Sequence, residues 1–233
     1  MGYSDIVSTE NTKYLDLKMG QLKTMSQDDI SLERQTVDLF VSFIVKHGKD
    51  ENQIRQISQI SKILGESLGL GIKYCNALEQ AARIYDIGNI AIDREIYQKD
   101  DALTFEEFNV VKNHTIMGYD ILKSHAFSSA QMAAIISAEH HEWWDGSGYP
   151  RQRYKEEISM PSRIVALADT VGALYTKRPG RQAWCYDKIL EHIQLKNKLH
   201  FDPNIVEVFM INKDIIHKVL DEDLDTIPHK WYD

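Results

Sequence analysis

The chain has 233 residues, a net charge of −8, 43% apolar and 27% charged side chains. That is enough apolar material for one sizeable core, and the acidic balance argues against a nucleic-acid polymer as partner, which needs clustered lysine and arginine. It leaves room for a small anionic ligand in a local basic pocket. Cys75 and Cys185 stand in unrelated contexts, which excludes a disulfide framework or a cysteine zinc site. No apolar run approaches the ~18 residues that span a bilayer, and Met1 to Asp5 carry no signal pattern. A cytoplasmic location without membrane contact is expected.

Residues 1–27 are polar with little period and read as an arm. Leu32, Thr36, Leu39, Phe40, Phe43 and Ile44 then recur at helical spacing, and residues 1–50 are taken as an arm plus this helix. Ile54, Ile57, Ile60, Ile63, Leu64 and Leu68 predict a second helix ending at Gly69 and Gly71. Tyr74, Leu78, Ala81, Ala82 and Tyr85 predict a third. Thr104 followed by Glu107 has the form of a capping box and should open a helix. Helices are predicted over 115–123, 127–142, 160–175, 184–196, 203–211 and 213–221. Strand signals are scarce, so the fold class is all-α. The stretch 143–159 is a long connection, and long connections inside compact domains tend to carry function. The acidic run Asp221 to Asp225 reads as a solvated helix end.

Some residues are odd among their neighbours. Asp86 follows an apolar helix, and Asp169 lies inside the apolar run Ile164 to Val171. A carboxylate buried there needs a partner or a metal. His140 and His141 are adjacent, with His114 earlier in the chain. Imidazoles with carboxylates suit iron, manganese, zinc or cobalt. Adjacent residues of a helix point about 100° apart, so the pair can share one ion only near a helix end. The turn-forming run Asp145-Gly146-Ser147-Gly148-Tyr149-Pro150 supplies such an end. Taken singly, each residue has an ordinary reading: a mid-helix Asp as a cap or ion-pair partner, a lone His as partly buried. His47, His125, His192, His200, His217 and His229 are read that way.

Order changes this. His140-His141-Glu142-Trp143-Trp144-Asp145-Gly146-Ser147-Gly148-Tyr149-Pro150 resembles the HHExxDGxGYP signature of the HD-GYP family. Tyr85-Asp86-Ile87-Gly88-Asn89-Ile90 stands where that family has HDxGKI, and Leu103-Thr104 through His114 resembles its LTxEE…H helix. Ala168-Asp169, Arg178-Pro179-Gly180-Arg181 and Phe201-Asp202-Pro203 match later motifs. The resemblance spans roughly residues 53 to 211, and residues 51–233 are taken as the domain. It implies an HD-superfamily helical bundle around two or three ions of iron or manganese, with cyclic di-GMP as substrate. It places Tyr149 and Pro150 on the substrate side, and Arg178 and Arg181 near phosphate, against the plainer reading of a helix-start ion pair for both arginines.

The departures from the family lie in one half of the site. The family's first metal-ligand His falls on Gln53, the His of the HD pair is Tyr85, and the Lys of DxGK is Asn89. By the resemblance, Asp86, His114, His140 and His141 are left for one ion, while the other position keeps only Asp86 and Asp169. The expectation is a degenerate HD-GYP module with one ion rather than two, impaired in catalysis. It would bind cyclic di-GMP or a protein such as a diguanylate cyclase domain. The alternative is an active metal-dependent phosphodiesterase opening cyclic di-GMP to the linear dinucleotide or GMP.

Overall fold

The structure, a computed structural model, describes residues 27–99, 101–177 and 181–222. The arm at 1–26, Arg178 and residues 223–225 of the acidic tail therefore lie outside the described residues. The helices are α1 (Gln27–His47), α2 (Glu51–Ser67), α3 (Ile72–Ile84), the short α4 (Arg94–Tyr97), α5 (Phe105–Lys112), α6 (His114–Leu122), α7 (Ser128–Glu139), α8 (Met160–Tyr175), α9 (Tyr186–Leu195), α10 (Pro203–Ile211) and α11 (Lys213–Asp221). Two 3-10 turns, Ile87–Ala91 and Lys155–Glu157, complete them. No strand is found among the described residues, so the all-α reading holds.

Local chemistry sets the boundaries. Asp50 caps α2 by accepting from the Gln53 N–H at 2.9 Å, and Gly69, at φ +76°, supplies the left-handed residue that ends it. The capping box at α5 forms as expected: Thr104 Oγ1 accepts from the Glu107 N–H, and the Glu107 carboxylate accepts from the Thr104 N–H. Two expectations shift. The face that α1 buries is Val37, Val41 and Ile44, while Leu32, Leu39 and Phe43 are exposed. The helix expected over 127–142 stops at Glu139, and the His140 imidazole that follows donates to the carbonyls of its last turn.

The core lies where α2, α3, α7 and α8 pack together. Ile57, Ile60 and Leu64 of α2, Leu78 of α3, Ile136 of α7 and Ile164, Leu167 and Val171 of α8 are fully buried. Each such side chain contributes roughly 1.5–3 kcal/mol by leaving water. Helix α7 is buried on nearly every side, its alanines and serines letting neighbours approach closely, and so it delivers its C-terminus to the middle of the molecule. The 3-10 turn after Asp86 lies directly on α6. A Cβ on Gly88 would stand 2.0 Å from the His114 carbonyl oxygen and 2.6 Å from the Gly118 nitrogen. Gly88→Ala is therefore expected to cost about 3 kcal/mol or more by forcing backbone apart, read as a lowered urea midpoint.

Candidate metal centre

His140 is the residue at which α7 ends, and its Nδ1 lies 3.0 Å from both the Ile136 and the Ser137 carbonyl oxygens. Carbonyls only accept, so Nδ1 carries the proton and Nε2 presents a bare lone pair. His114, at the start of α6, repeats this arrangement: its Nδ1 donates to the Val111 carbonyl at 2.6 Å. The two Nε2 atoms then face each other at 3.2 Å. Lone pairs at that distance repel unless a proton or a metal ion lies between them. His141 joins from just beyond the helix end, and one ligand atom of each of the three histidines lies within 4.8 Å of the others. Burial first, then His114, pulls the His140 pKa down to about 4. Burial, with His140 and His114, holds His141 well below the usual value. Neutral imidazole is the form that binds a metal, so these residues fit an ion.

Asp86 divides its carboxylate between two environments. Oδ1 faces the imidazoles, 3.6 Å from His114 Nε2 and 3.9 Å from His140 Nε2. Oδ2 accepts from Lys49 Nζ at 2.6 Å. Burial raises the Asp86 pKa, but Lys49, His114 and His140 together hold it far below the usual carboxylate range. On the far side, Asp169 of α8 accepts from the Tyr85 hydroxyl at 2.6 Å and lies 3.8 Å from Lys49 Nζ. Lys49 also donates to the Tyr85 oxygen at 3.1 Å, and its side chain is only 6% exposed. Burial lowers the Lys49 pKa, and the attraction of Asp86 and Asp169 more than restores it, above the ordinary lysine value. Gln53 and Asn89 are buried.

A rim of aromatic and cationic groups borders the histidines. Tyr149 stacks on His141 at 4.7 Å between centroids, with Phe108 at 6.2 Å from Tyr149. Lys112 Nζ lies 4.6 Å from the Phe108 ring and 5.4 Å from the Tyr149 ring. The Tyr149 N–H donates to the His141 carbonyl at 3.0 Å. This fold-back needs Gly148, whose Cβ would meet the Trp143 nitrogen at 2.3 Å. Pro150 follows a cis peptide and is exposed. Beyond it, Arg153 is buried in an ion pair with Glu139 at 2.7 Å, and Glu142 accepts from the Arg151 and Arg153 N–H groups. Arg181 donates to the Ala173 carbonyl of α8.

The structure thus brings together Asp86, His114, His140, His141 and Asp169, but in two unequal halves. Sequence reasoning missed Lys49, Phe108 and Lys112. A lysine flanked by Gly48 and the N-cap Asp50, four residues before Gln53, was the available signal for the first.

A family model described as the HD domain matches residues 29–205. The chain belongs to the HD-domain family. Its relatives include the cyclic di-GMP phosphodiesterase response regulator RpfG of Xanthomonas campestris, 32% identical over 87% of this chain and 54% of that protein. Another is 3'3'-cGAMP-specific phosphodiesterase 2 of Vibrio cholerae, 31% identical over 67% of this chain and 30% of that protein. The chain thus spans about half or less of these relatives' length. Among solved structures, Bd1817, an HDG"Y"P protein from Bdellovibrio bacteriovorus, shares the fold at a TM-score of 0.56 and 16% identity, over 90% of this chain and 65% of that one. The HD-GYP resemblance is borne out. In this HD domain, no helix among the described residues is long and apolar enough to cross a membrane.

Proposed function

We propose that the chain acts in cyclic-dinucleotide signalling as a one-ion HD-GYP module that binds cyclic di-GMP and hydrolyses it poorly. The observation that carries this reading is the asymmetry of the site. Three imidazoles converge on one side of Asp86, whereas Asp169 on the other side already holds the Tyr85 hydroxyl at 2.6 Å. An iron or manganese ion held by His114, His140, His141 and Asp86 would polarise a phosphate oxygen. Tyr149 and Phe108 offer faces on which a base can stack, and Lys112 offers charge for a phosphate. With Gln53 and Tyr85 in place of imidazoles, the second ion that shares transition-state charge in two-metal sites has no histidine to hold it. A deficit of about a thousandfold in rate corresponds to about 4 kcal/mol. A diguanylate cyclase domain is the protein class this module would pair with, since both handle the same nucleotide.

The test is a parallel measurement of binding and turnover with Mn²⁺ present. Labelled cyclic di-GMP and 3'3'-cGAMP are titrated onto the protein by fluorescence anisotropy, and products are followed by chromatography. Saturable binding of cyclic di-GMP with turnover about a thousandfold below a two-ion enzyme is expected. Fast turnover would replace this reading with that of a working phosphodiesterase. Absence of binding by either nucleotide would remove the signalling role altogether.

A further inference from the structure

We propose that the Lys49 ammonium is a built-in cation standing between Asp86 and Asp169, in the place a divalent ion would occupy, so that the chain takes up a single ion, on the histidine side. The inference deepens the one-ion reading above and rests on it for the histidine half only.

Lys49 is not a surface lysine that happens to reach inward. Gly48, at φ +127°, turns the chain at the end of α1, and Asp50 caps α2, so Lys49 sits in a link pinned at both ends. Its N–H donates to the Ile44 carbonyl, which fixes the start of its side chain. The ammonium has three N–H donors, and it faces three oxygens: Asp86 Oδ2 at 2.6 Å, the Tyr85 hydroxyl at 3.1 Å and Asp169 Oδ1 at 3.8 Å. The Tyr85 ring lies across it, 4.9 Å from Nζ to centroid. Tyr85 completes the arrangement: its hydroxyl donates to Asp169, and its oxygen accepts from the lysine.

Charge accounts for the arrangement. Two partly buried carboxylates that face one point, at 2.6 and 3.8 Å from the same Nζ, repel each other unless a cation stands between them. In a two-metal site a bridging carboxylate places one oxygen on each ion. Asp86 keeps that division, with Oδ2 on the ammonium and Oδ1 toward His114 and His140. The substitution of ammonium for metal also explains why Gln53 and Tyr85 are compatible with a stable core. No imidazole is needed where the cation is covalently part of the chain. A second divalent ion would have to displace the ammonium or sit beside it against like charge.

The experiment uses metal-free full chain, in the original form and as Lys49→Gln and Lys49→Gln/Asp169→Asn. Each is dialysed against Mn²⁺ for metal analysis, and each metal-free form is unfolded thermally. The original chain is expected to hold one Mn²⁺. Metal-free Lys49→Gln should unfold at least about 5 °C lower, because both carboxylates lose their cation. The double variant should regain most of that loss, since one negative charge is gone as well. Two Mn²⁺ per original chain would overturn the proposal. Equal unfolding temperatures for the original chain and Lys49→Gln would also overturn it, as would a double variant no better than the single one. Absence of any bound ion would defeat the histidine-site reading instead, and the unfolding comparison would still decide the role of Lys49.

Discussion

His140→Ala is expected to lower Mn²⁺ affinity at least a hundredfold, a loss of about 2.7 kcal/mol, while His200→Ala leaves it unchanged. The comparison is informative because the two histidines share a lowered proton affinity. Both are held near a pKa of about 4 by burial first, with His114 adding to it for His140 and His192 for His200. Their company differs. His140 Nε2 faces His114 Nε2 at 3.2 Å, whereas His200 stacks on Trp143 at 4.5 Å. A drop in metal content for both variants would point to general loss of structure. Unchanged content in His140→Ala would disprove the assignment of ligands.

On the one-ion reading proposed above, full phosphodiesterase activity should require four substitutions rather than three. Gln53→His, Tyr85→His and Asn89→Lys introduce the groups that the HD-GYP resemblance implies at these positions, but they leave the Lys49 ammonium 2.6 Å from Asp86. The triple variant alone is expected to gain little. Adding Lys49→Ala frees both carboxylates for a second ion and should raise the turnover of cyclic di-GMP by at least about tenfold, equivalent to 1.4 kcal/mol, closing part of the deficit proposed above. Turnover and ions per chain are measured together. If the quadruple variant binds two ions and remains inactive, these four positions do not account for the proposed impairment. If the triple variant alone becomes active, Lys49 is not the obstacle.

Much of the architecture could be read from periodicity. The isoleucine spacing of α2, the apolar run of α8 and the Thr104–Glu107 cap are local signals, and each formed where expected. The histidine cluster was legible because an adjacent pair beside a turn-forming run can converge only past a helix end, and α7 does end at Glu139. The buried face of α1 was not, since its apolar residues cover more than one side and only the packing of Val37, Val41 and Ile44 chooses between them. Lys49 was hidden for a different reason. A lysine beside a glycine at a helix end reads as a solvated charge, and only the long-range pairing with Asp86 and Asp169 makes it part of the core. Phe108 and Lys112 escaped likewise, because their meeting with Tyr149 joins α5 to a distant loop.

The pinned lysine also shapes which mutational paths are open to this chain. Losing Lys49 first strands two acids in the interior, and gaining histidines first sets metal ligands against a resident ammonium. Neither order offers a stepwise gain, and neighbouring substitutions that share partners do not add. The pair of alternatives, internal cation or second metal, therefore behaves as an epistatic ratchet. With the lysine in place, two-ion chemistry would be reached only by crossing a valley of less stable or less occupied intermediates.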